Sequence, residues 1–595
     1  MSTNISRKRK EQLIDKIEEI RQHILTNAPN SELEGWLGEI SAELKSHKYG
    51  LVFEEHMEKI DEILLKNIPI FNEKKELQIE GNGEFNFLIE GDNLPALKLL
   101  NKTHKQNVDF IYIDPPYNTK SKDFMYDDSF VDPKDAFKHS KWLSFMEKRL
   151  VEAHRLLKDS GCIMISINEE EVFELKMLCD KIFGDSNYLA MFSVKVRHQD
   201  RILKGDKDFH EIMEYMLMYR KSPKFKTIKR LVDNTSNRDY VYQIVEKIDN
   251  PETTVIDGKN VSIFKPNEYE IVKVEASIDN LKKINIRGTI KEGNSSGRFF
   301  MKHLNEFIGK NMGYLYKVPD MGDDKFGYRY FLIPSSEKRV NGDYFQGVPL
   351  NRNDIKEVPY ANYLEANVVE DECAISIDED EHVFESELNY LDFETSFNNV
   401  GYEGYVEFRN GKKPLDFLDK CFEMSGVKKN KNAIVLDFFA GSGSTGHALM
   451  RLNNQDDGNR KFIIVTNSQN NICREITYER MKKVIENDKY SEGLKYYKVD
   501  FVNKENRVYY EYANELLNHV KELIQLENNI DLDKNNEYKI ILTDEEFEDV
   551  VSSNNIHKKM YLGLDVLVDN SIVDNLKNRG TEVILIPSHY YSDIN

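Results

Sequence analysis

The stretch from Val108 to Thr119, VDFIYIDPPYNT, limits the fold more than any other part of the chain. Phe110 to Ile113 is a short apolar, β-prone run of the kind buried on both faces of a parallel sheet, and Pro115 and Pro116 prevent the pairing from continuing. Asp114 is thereby placed at the carboxyl end of a strand. In open α/β sheets that edge carries the ligand crevice, so a carboxylate, two prolines and the ring of Tyr117 are expected to form part of a site. An Asp that merely caps a Pro-Pro turn is the plainer alternative. The strand before Asp114 and the tyrosine after it favour a site.

The chemistry such a tetrad suits is narrow. The amino group on a nucleobase is a poor nucleophile because its lone pair is delocalised into the ring, so a site that activates it must accept hydrogen bonds from both N–H groups. Asp114 supplies one acceptor and the Pro115 carbonyl, fixed by its ring, supplies another. Tyr117 offers a face for a base taken out of its stack, a contact worth roughly 1–3 kcal/mol.

A second strand, loop and helix follow far downstream. Ala433 to Leu436 is apolar, Asp437 ends the strand, and Phe438-Phe439-Ala440-Gly441-Ser442-Gly443-Ser444-Thr445-Gly446 turns into a helix. The glycines let backbone approach a ligand, and Asp437 is placed to accept a hydrogen bond from an ammonium group. Gly441 to Gly446 also spells the dinucleotide pattern G-x-G-x-x-G. A nicotinamide enzyme would place an acid about 20 residues on, at the end of the next strand. That strand, Phe462 to Val465, ends in Thr466-Asn467-Ser468, and the acid is missing.

Asp114-Pro115-Pro116-Tyr117 resembles the catalytic motif of the DNA amino-methyltransferases, which methylate adenine N6 or cytosine N4 from S-adenosylmethionine. It precedes the Asp437 loop by more than 300 residues, an order that resembles the permuted β group. The wider context is similar to modification (Mod) subunits of type III restriction-modification systems. The resemblance implies an α/β fold: a doubly wound, Rossmann-like S-adenosylmethionine-dependent methyltransferase sheet in permuted order. It implies Asp114, Pro115, Pro116 and Tyr117 as catalytic residues, and Asp437, Phe438, Phe439, Ala440, Gly441, Ser442 and Gly443 as the cofactor loop. Asp92 and Asn93 would border the cofactor adenine, although the same residues read equally as a strand-to-helix turn. Asn467 becomes the candidate for the ribose. Phe192 falls where the family places a motif near the target base, but the residue itself reads first as a core aromatic.

The resemblance also implies double-stranded DNA as substrate, adenine as the base by family habit, a homodimer, and a helicase-nuclease restriction subunit as partner. Cytosine-N4 methylation, a stand-alone enzyme and a catalytically silent DNA-binding subunit are the alternatives; a dehydrogenase ranks last. No metal is called for, and the chain shows no G-x-x-x-x-G-K-[ST] loop of its own.

With 595 residues the chain exceeds a single core, and three to five domains of about 150 residues are expected. The motifs divide it into a helical region over 1–75, a catalytic half over 76–225, a target-recognition insertion over 226–405, a cofactor half over 406–489 and a small α/β region over 490–595. Leu13, Ile17, Ile20 and Ile24 recur at helical steps in the first, and Tyr49-Gly50-Leu51 is similar to a stretch in type III Mod subunits. The βα alternation is lost in the insertion, where Ile284 to Gly288 carries a base and Arg298 to His303 combines bases with aromatics, as a DNA-reading segment would. Lys120 to Lys138 would be a long connection or a loop that closes on DNA.

The net charge of −21 argues against nucleic acid at first sight, but it is unevenly spread. Met191 to Asn234 holds eleven Lys and Arg against six acids, while Glu365 to Glu394 holds twelve acids and no base. No apolar run approaches the roughly 18 residues that span a bilayer, and the first ten residues lack a signal-peptide core, so a cytoplasmic protein is expected. Five scattered cysteines, none in a Cys-x-x-Cys pair, indicate neither a disulfide framework nor a zinc site.

Overall fold

A computed structural model describes residues 13–21, 53–81, 84–119, 135–197, 211–233, 237–286, 295–336, 341–350, 355–360, 400–407, 412–553 and 555–591, with a few positions between them. It divides into two compact units, one of 1–228, 361–374 and 389–595, the other of 229–360 and 375–388.

The first unit is built on a ten-stranded sheet. Its strands in chain order are β1 (Asn67–Glu73), β2 (Phe85–Glu90), β3 (Val108–Ile113), β4 (Leu157–Ile167), β5 (Tyr188–Lys195), β6 (Met213–Arg220), β7 (Tyr363–Leu364), β8 (Ile434–Asp437), β9 (Lys461–Thr466) and β10 (Gly493–Asn503). Across the sheet they run β1-β10-β2-β9-β8-β3-β4-β6-β5-β7. The block from β10 to β4 is parallel, and β6 is antiparallel to both β4 and β5. β8 therefore lies beside β3 although the chain leaves for the second unit between them, which is the permuted, doubly wound arrangement expected.

The apolar runs explain the centre of this sheet. Every residue of β2 and β9 is buried, and alternate side chains of β3 serve opposite faces. Ile111 and Ile113 pack with Leu97 of α1 (Asn93–Thr103), Leu143 and Leu150 of α2 (Lys138–Leu156) and Leu175 of α3 (Val172–Phe183). Phe110 and Tyr112 face Phe422 and Phe417 of α4 (Leu415–Ser425) edge-on, at 6.1 Å between ring centres. The strand pair diverges at β8 and β3: α5 (Ser444–Asp456) leads from β8 to β9, and α2 leads from the β3 side to β4. Their shared carboxyl edge is a topological switch point.

Several expected boundaries shift. β1 falls in the stretch read as helical, 1–75, and pairs antiparallel with β10, which falls in the stretch read as a separate C-terminal region, 490–595. β1 is an edge addition to the main sheet and β10 joins it to β2, a tertiary pairing that local periodicity does not reveal. Asp159-Ser160-Gly161, a turn-like triplet in sequence, lies inside β4, where the pairing with β3 slips between Val108 and Phe110. Beyond β10, strands Tyr538–Ile541, Lys559–Leu562 and Glu582–Leu585 form a small parallel sheet with interleaved helices.

The second unit carries an eight-stranded sheet whose pairings are antiparallel. The aromatics of Arg298 to His303 are spent on its core: Phe300 is fully buried and Phe299 stacks on Phe331 at 5.6 Å. Arg287 and Gly288, Tyr49-Gly50-Leu51, most of 120–134 and the acidic run 365–394 lie outside the described residues. Among the described residues no helix is long and apolar enough to cross a membrane.

Candidate active site

The turn after β3 is braced from two helices. Trp142 of α2 donates its indole N–H to the Pro116 carbonyl at 2.7 Å, which gives the largest fully buried side chain of the protein a polar duty beyond packing. Asn118 takes a left-handed backbone (φ 57°), a conformation Asn tolerates, and its side-chain amide donates to Glu171 Oε1 at 2.5 Å. Burial pushes the Glu171 carboxyl up to about 8, against the pull of the Asn118 amide. The Pro-Pro segment is thus clamped by Trp142 at its second proline and by Asn118 after it.

Asp114 is divided between two uses. Its Oδ1 accepts the Tyr117 hydroxyl at 2.7 Å and lies 3.2 Å from Lys413 Nζ. Its Oδ2 accepts no hydrogen bond among the described residues, nor does the Pro115 carbonyl. Burial raises the Asp114 carboxyl above its ordinary range, with the Lys413 ammonium pulling it back and Glu214 pushing the same way as burial. Glu214 Oε2 is 3.0 Å from Lys413 Nζ and 3.1 Å from the Tyr117 hydroxyl. Neither Lys413 nor Glu214 is singled out by the sequence motifs. The available signals were a lone acid in the otherwise apolar run of β6 and a lysine held directly before Pro414.

The loop after β8 is wired inward. Asp437, 2% exposed, accepts Phe439 N–H on Oδ1 at 3.0 Å and the Thr445 hydroxyl on Oδ2 at 2.6 Å. Burial pushes its carboxyl up to about 7 in spite of those two donors. Gly443 begins α5 in left-handed backbone (φ 80°), where a Cβ would stand 3.1 Å from Thr477 Cγ2. Arg480 of α6 (Glu479–Asn487), itself fully buried, donates to the hydroxyls of Ser442 and Ser444 at 3.1 and 2.8 Å and pairs with Glu403 at 2.9 Å. The loop is held from both ends.

Between the two turns lies a cavity of about 450 Å³. Asp114, Pro115, Pro116 and Lys413 line one side and Asp437 to Ser442 another, with Asp92, Asn93 and Asn467 also on its wall. Asn93 donates to the Phe438 carbonyl at 2.9 Å, joining the end of β2 to the loop, and Arg149 reaches both Asn93 and Asp92 from behind. Asp92 also caps α1 by accepting Leu94 N–H at 2.8 Å, so the turn and the cavity wall are one feature. Asn467 is exposed and accepts Gln469 N–H at 3.2 Å. Glu90, opposite Thr466 across the strand pair, does not stand in for the missing acid: the Ser468 and Tyr496 hydroxyls occupy it at 2.6 Å and it does not line the cavity.

Three candidates stand off the wall. Phe192, 5% exposed on β5 opposite Met216, is a core aromatic. Gly443 shapes the loop without facing the cavity, and Tyr117 meets it through Asp114 rather than with its ring.

In chemical terms the site offers two adjacent open acceptors, a carboxylate oxygen and a carbonyl, beside a cavity walled by a glycine-bearing loop. The chain is similar to the type III restriction-modification StyLTI Mod subunit of Salmonella typhimurium (27% identical over 443 residues, 68% of this chain and 56% of that one). It is also similar to the EcoPI Mod subunit of Escherichia phage P1 (27% over 439 residues, 68% and 61%). To the type II methyltransferase M.KpnI of Klebsiella pneumoniae it is 29% identical over 393 residues, 63% of this chain and 79% of that one. The match thus spans little more than half the length of the two Mod subunits. A family match to the N6/N4-type DNA methylases covers residues 108–486, from the first residue of β3 to the last turn of α6, and so takes in both turns and everything between them. The chain belongs to the DNA methylase family.

Proposed function

We propose that the chain is a site-specific DNA methyltransferase acting on adenine N6 in double-stranded DNA, with S-adenosylmethionine as donor, and that it is the modification subunit of a type III restriction-modification system. The observation that carries this is the pair of open acceptors, Asp114 Oδ2 and the Pro115 carbonyl, held rigid at the cavity by Trp142 and Asn118. An exocyclic amine presents two N–H donors, and two fixed acceptors draw it out of conjugation with the ring.

The donor fits the opposite wall. The stretch Asp437 to Ser442 provides backbone close to the cavity and one buried carboxylate, and Asp92, Asn93 and Asn467 provide polar groups on the wall for a nucleoside. When bound, S-adenosylmethionine supplies a methyl group on a sulfonium, which an amine attacks without help from a covalent enzyme intermediate. The protein's share is orientation: Asp114 and Pro115 fix the amine, Asp437 accepts an ammonium, and the loop excludes water. A base inside a duplex cannot reach this cavity, so the target is flipped out, and Tyr117 bears on it through Asp114.

The unit formed mainly by 229–360 is assigned to target recognition, because it interrupts the catalytic sheet without adding to it. Its eight-stranded sheet and the basic run at 191–234 are the parts available for DNA contact. A homodimer, a helicase-nuclease partner and a cytoplasmic location follow the type III relatives in the same proposal.

The test is to incubate the purified chain with unmethylated DNA and methyl-labelled S-adenosylmethionine, digest the DNA and identify the labelled nucleoside, with Asp114→Ala in parallel. N6-methyladenine made by the wild type alone is expected. N4-methylcytosine would keep the chemistry and change the base; no labelled nucleoside despite cofactor binding would overturn the enzymatic assignment. Copurification with a large helicase-nuclease subunit tests the type III assignment separately.

A further inference from the structure

Asp114 stands on a cluster of charge that two acceptors alone do not require. Lys413 Nζ lies 3.2 Å from Asp114 Oδ1, 3.0 Å from Glu214 Oε2 and 2.8 Å from the Tyr117 hydroxyl oxygen. An ammonium has three N–H donors, and these three acceptors are among its partners. The Tyr117 hydroxyl has one proton and two carboxylate oxygens in reach, Asp114 Oδ1 at 2.7 Å and Glu214 Oε2 at 3.1 Å. All of this is shielded: the side chains of Lys413, Asp114 and Glu214 are 10%, 20% and 16% exposed. Two carboxylates therefore compete for one ammonium and one phenol proton where water screens little.

We propose that Lys413 and Glu214 are opposed positioning residues for Asp114: Lys413 keeps Asp114 ionised and turns Oδ1 into the cluster, leaving Oδ2 for the target amine, while Glu214 restrains Lys413 and Tyr117 from spending all their donors on Asp114. It presupposes that Asp114 is the acceptor of the amine. Without the ammonium, Asp114 would hold a proton to higher pH, and a carboxyl protonated on Oδ2 presents the amine with a donor where an acceptor is needed. Without the Glu214 charge, Asp114 would keep its ionisation but become a weaker acceptor, with both donors turned onto it.

Other groups face this cluster and are held in check. The Tyr112 hydroxyl is paired with Ser166 at 2.9 Å, Asp437 lies across the cavity with both oxygens engaged, Arg197 acts on Glu214, and the Cys421 thiol near Lys413 is pushed up by burial. Burial pulls the Lys413 ammonium down, but Asp114 and Glu214 outweigh it and hold it above the ordinary lysine range, so it stays charged throughout the working pH range. Glu214 is held below its usual range, where burial is outweighed by Lys413, Arg197 and Tyr117 together.

The signs make the test decisive. Asp114 works ionised, so the acid limb of the transfer rate follows its titration. Losing the Lys413 charge raises that titration and moves the limb to higher pH, by about 1–3 units for an opposite charge at this range. Losing the Glu214 charge removes a like charge and moves the limb to lower pH, by about 1 unit. A side chain that merely supported the fold would give no such opposition.

The experiment uses the full chain, saturating labelled S-adenosylmethionine and DNA free of N6-methyladenine, with single-turnover rates from about pH 5.5 to 9. Wild type is compared with Lys413→Met, Lys413→Arg and Glu214→Gln, and cofactor affinity is measured for each so that only loaded enzyme is read. The expected result is a limb moved up in Lys413→Met, restored toward wild type in Lys413→Arg, and moved down in Glu214→Gln with a lower plateau. Limbs that move together, or stay within about 0.3 units of wild type, overturn the proposal. If Lys413→Met fails to fold, Glu214→Gln decides alone: a downward limb supports, an unmoved or upward one overturns. A wild type that methylates nothing removes the methyl-transfer assignment and this proposal with it, whereas a wild type that turns over with unmoved limbs removes only this one.

Discussion

Two aspartates end two neighbouring parallel strands, Asp114 after β3 and Asp437 at the end of β8, and they are used in opposite ways. Asp437 has each oxygen engaged by its own loop, Phe439 N–H on one and the Thr445 hydroxyl on the other. Asp114 has one oxygen tied to Tyr117 and Lys413, while among the described residues the other accepts nothing, and neither does the Pro115 carbonyl. The first carboxylate maintains a shape and the second is kept available. Position at the carboxyl edge of a parallel sheet gives both access to the same cavity; what separates them is where their hydrogen bonds go.

Substitution should separate them just as cleanly. Asp114→Ala should lower methyl transfer by on the order of 10²–10³-fold or more while leaving cofactor affinity nearly unchanged, as loss of a group that acts only at the reacting atoms does. Rate and cofactor affinity measured on the same preparation check it; an equal loss in both would mean Asp114 is a shape residue like its neighbour. Asp437→Asn should do the reverse, weakening cofactor affinity by roughly 10–100-fold, the scale of a charged hydrogen bond, with transfer at saturation falling much less. Calorimetric titration of the cofactor reads it.

The two carboxylates should also titrate in different observables. Burial holds the Asp437 carboxyl at about 7, so it is ionised above that pH and protonated below. An ammonium ligand favours the ionised form, so cofactor affinity should weaken as pH falls from 8 to 6, approaching about tenfold per unit on the acid side. Asp437→Asn should flatten that dependence. Affinity that is flat in the wild type would show that Asp437 meets the ligand neutral, or not at all.

Both turns were legible in the sequence because each is local: an apolar run, an acid, then prolines or glycines, read within a dozen residues. Their adjacency could be inferred only through resemblance, since β3 and β8 are separated by the whole second unit. Lys413 and Glu214 escaped for the same reason in sharper form. Each is one charged residue in an ordinary segment, and only the sheet brings β6 and the segment before α4 to Asp114. The strands β1 and β10 at one end of the sheet were hidden because pairing partners at opposite ends of the chain leave no local period. Phe192 shows the converse, a residue placed near the target base by resemblance that packing assigns to the core.

The smallest expected effect tests how rigid the open acceptors must be. Trp142→Phe keeps an aromatic ring in a fully buried site but deletes the N–H that holds the Pro116 carbonyl at 2.7 Å. The lost bond should cost about 1 kcal/mol in stability, with more if the carbonyl is left without water. On Asp437 it should have little effect, because the deleted indole bond goes to the Pro116 carbonyl and not to the loop after β8, and cofactor affinity should hold. On the Asp114 side the Pro115 carbonyl would gain freedom, and the transfer rate should fall severalfold, since orientation of the amine is what the turn contributes. Thermal unfolding, cofactor titration and single-turnover rate together decide it. A variant that loses stability yet transfers at the wild-type rate would mean that Asp114 alone positions the amine, and that the carbonyl of Pro115 is open without being used.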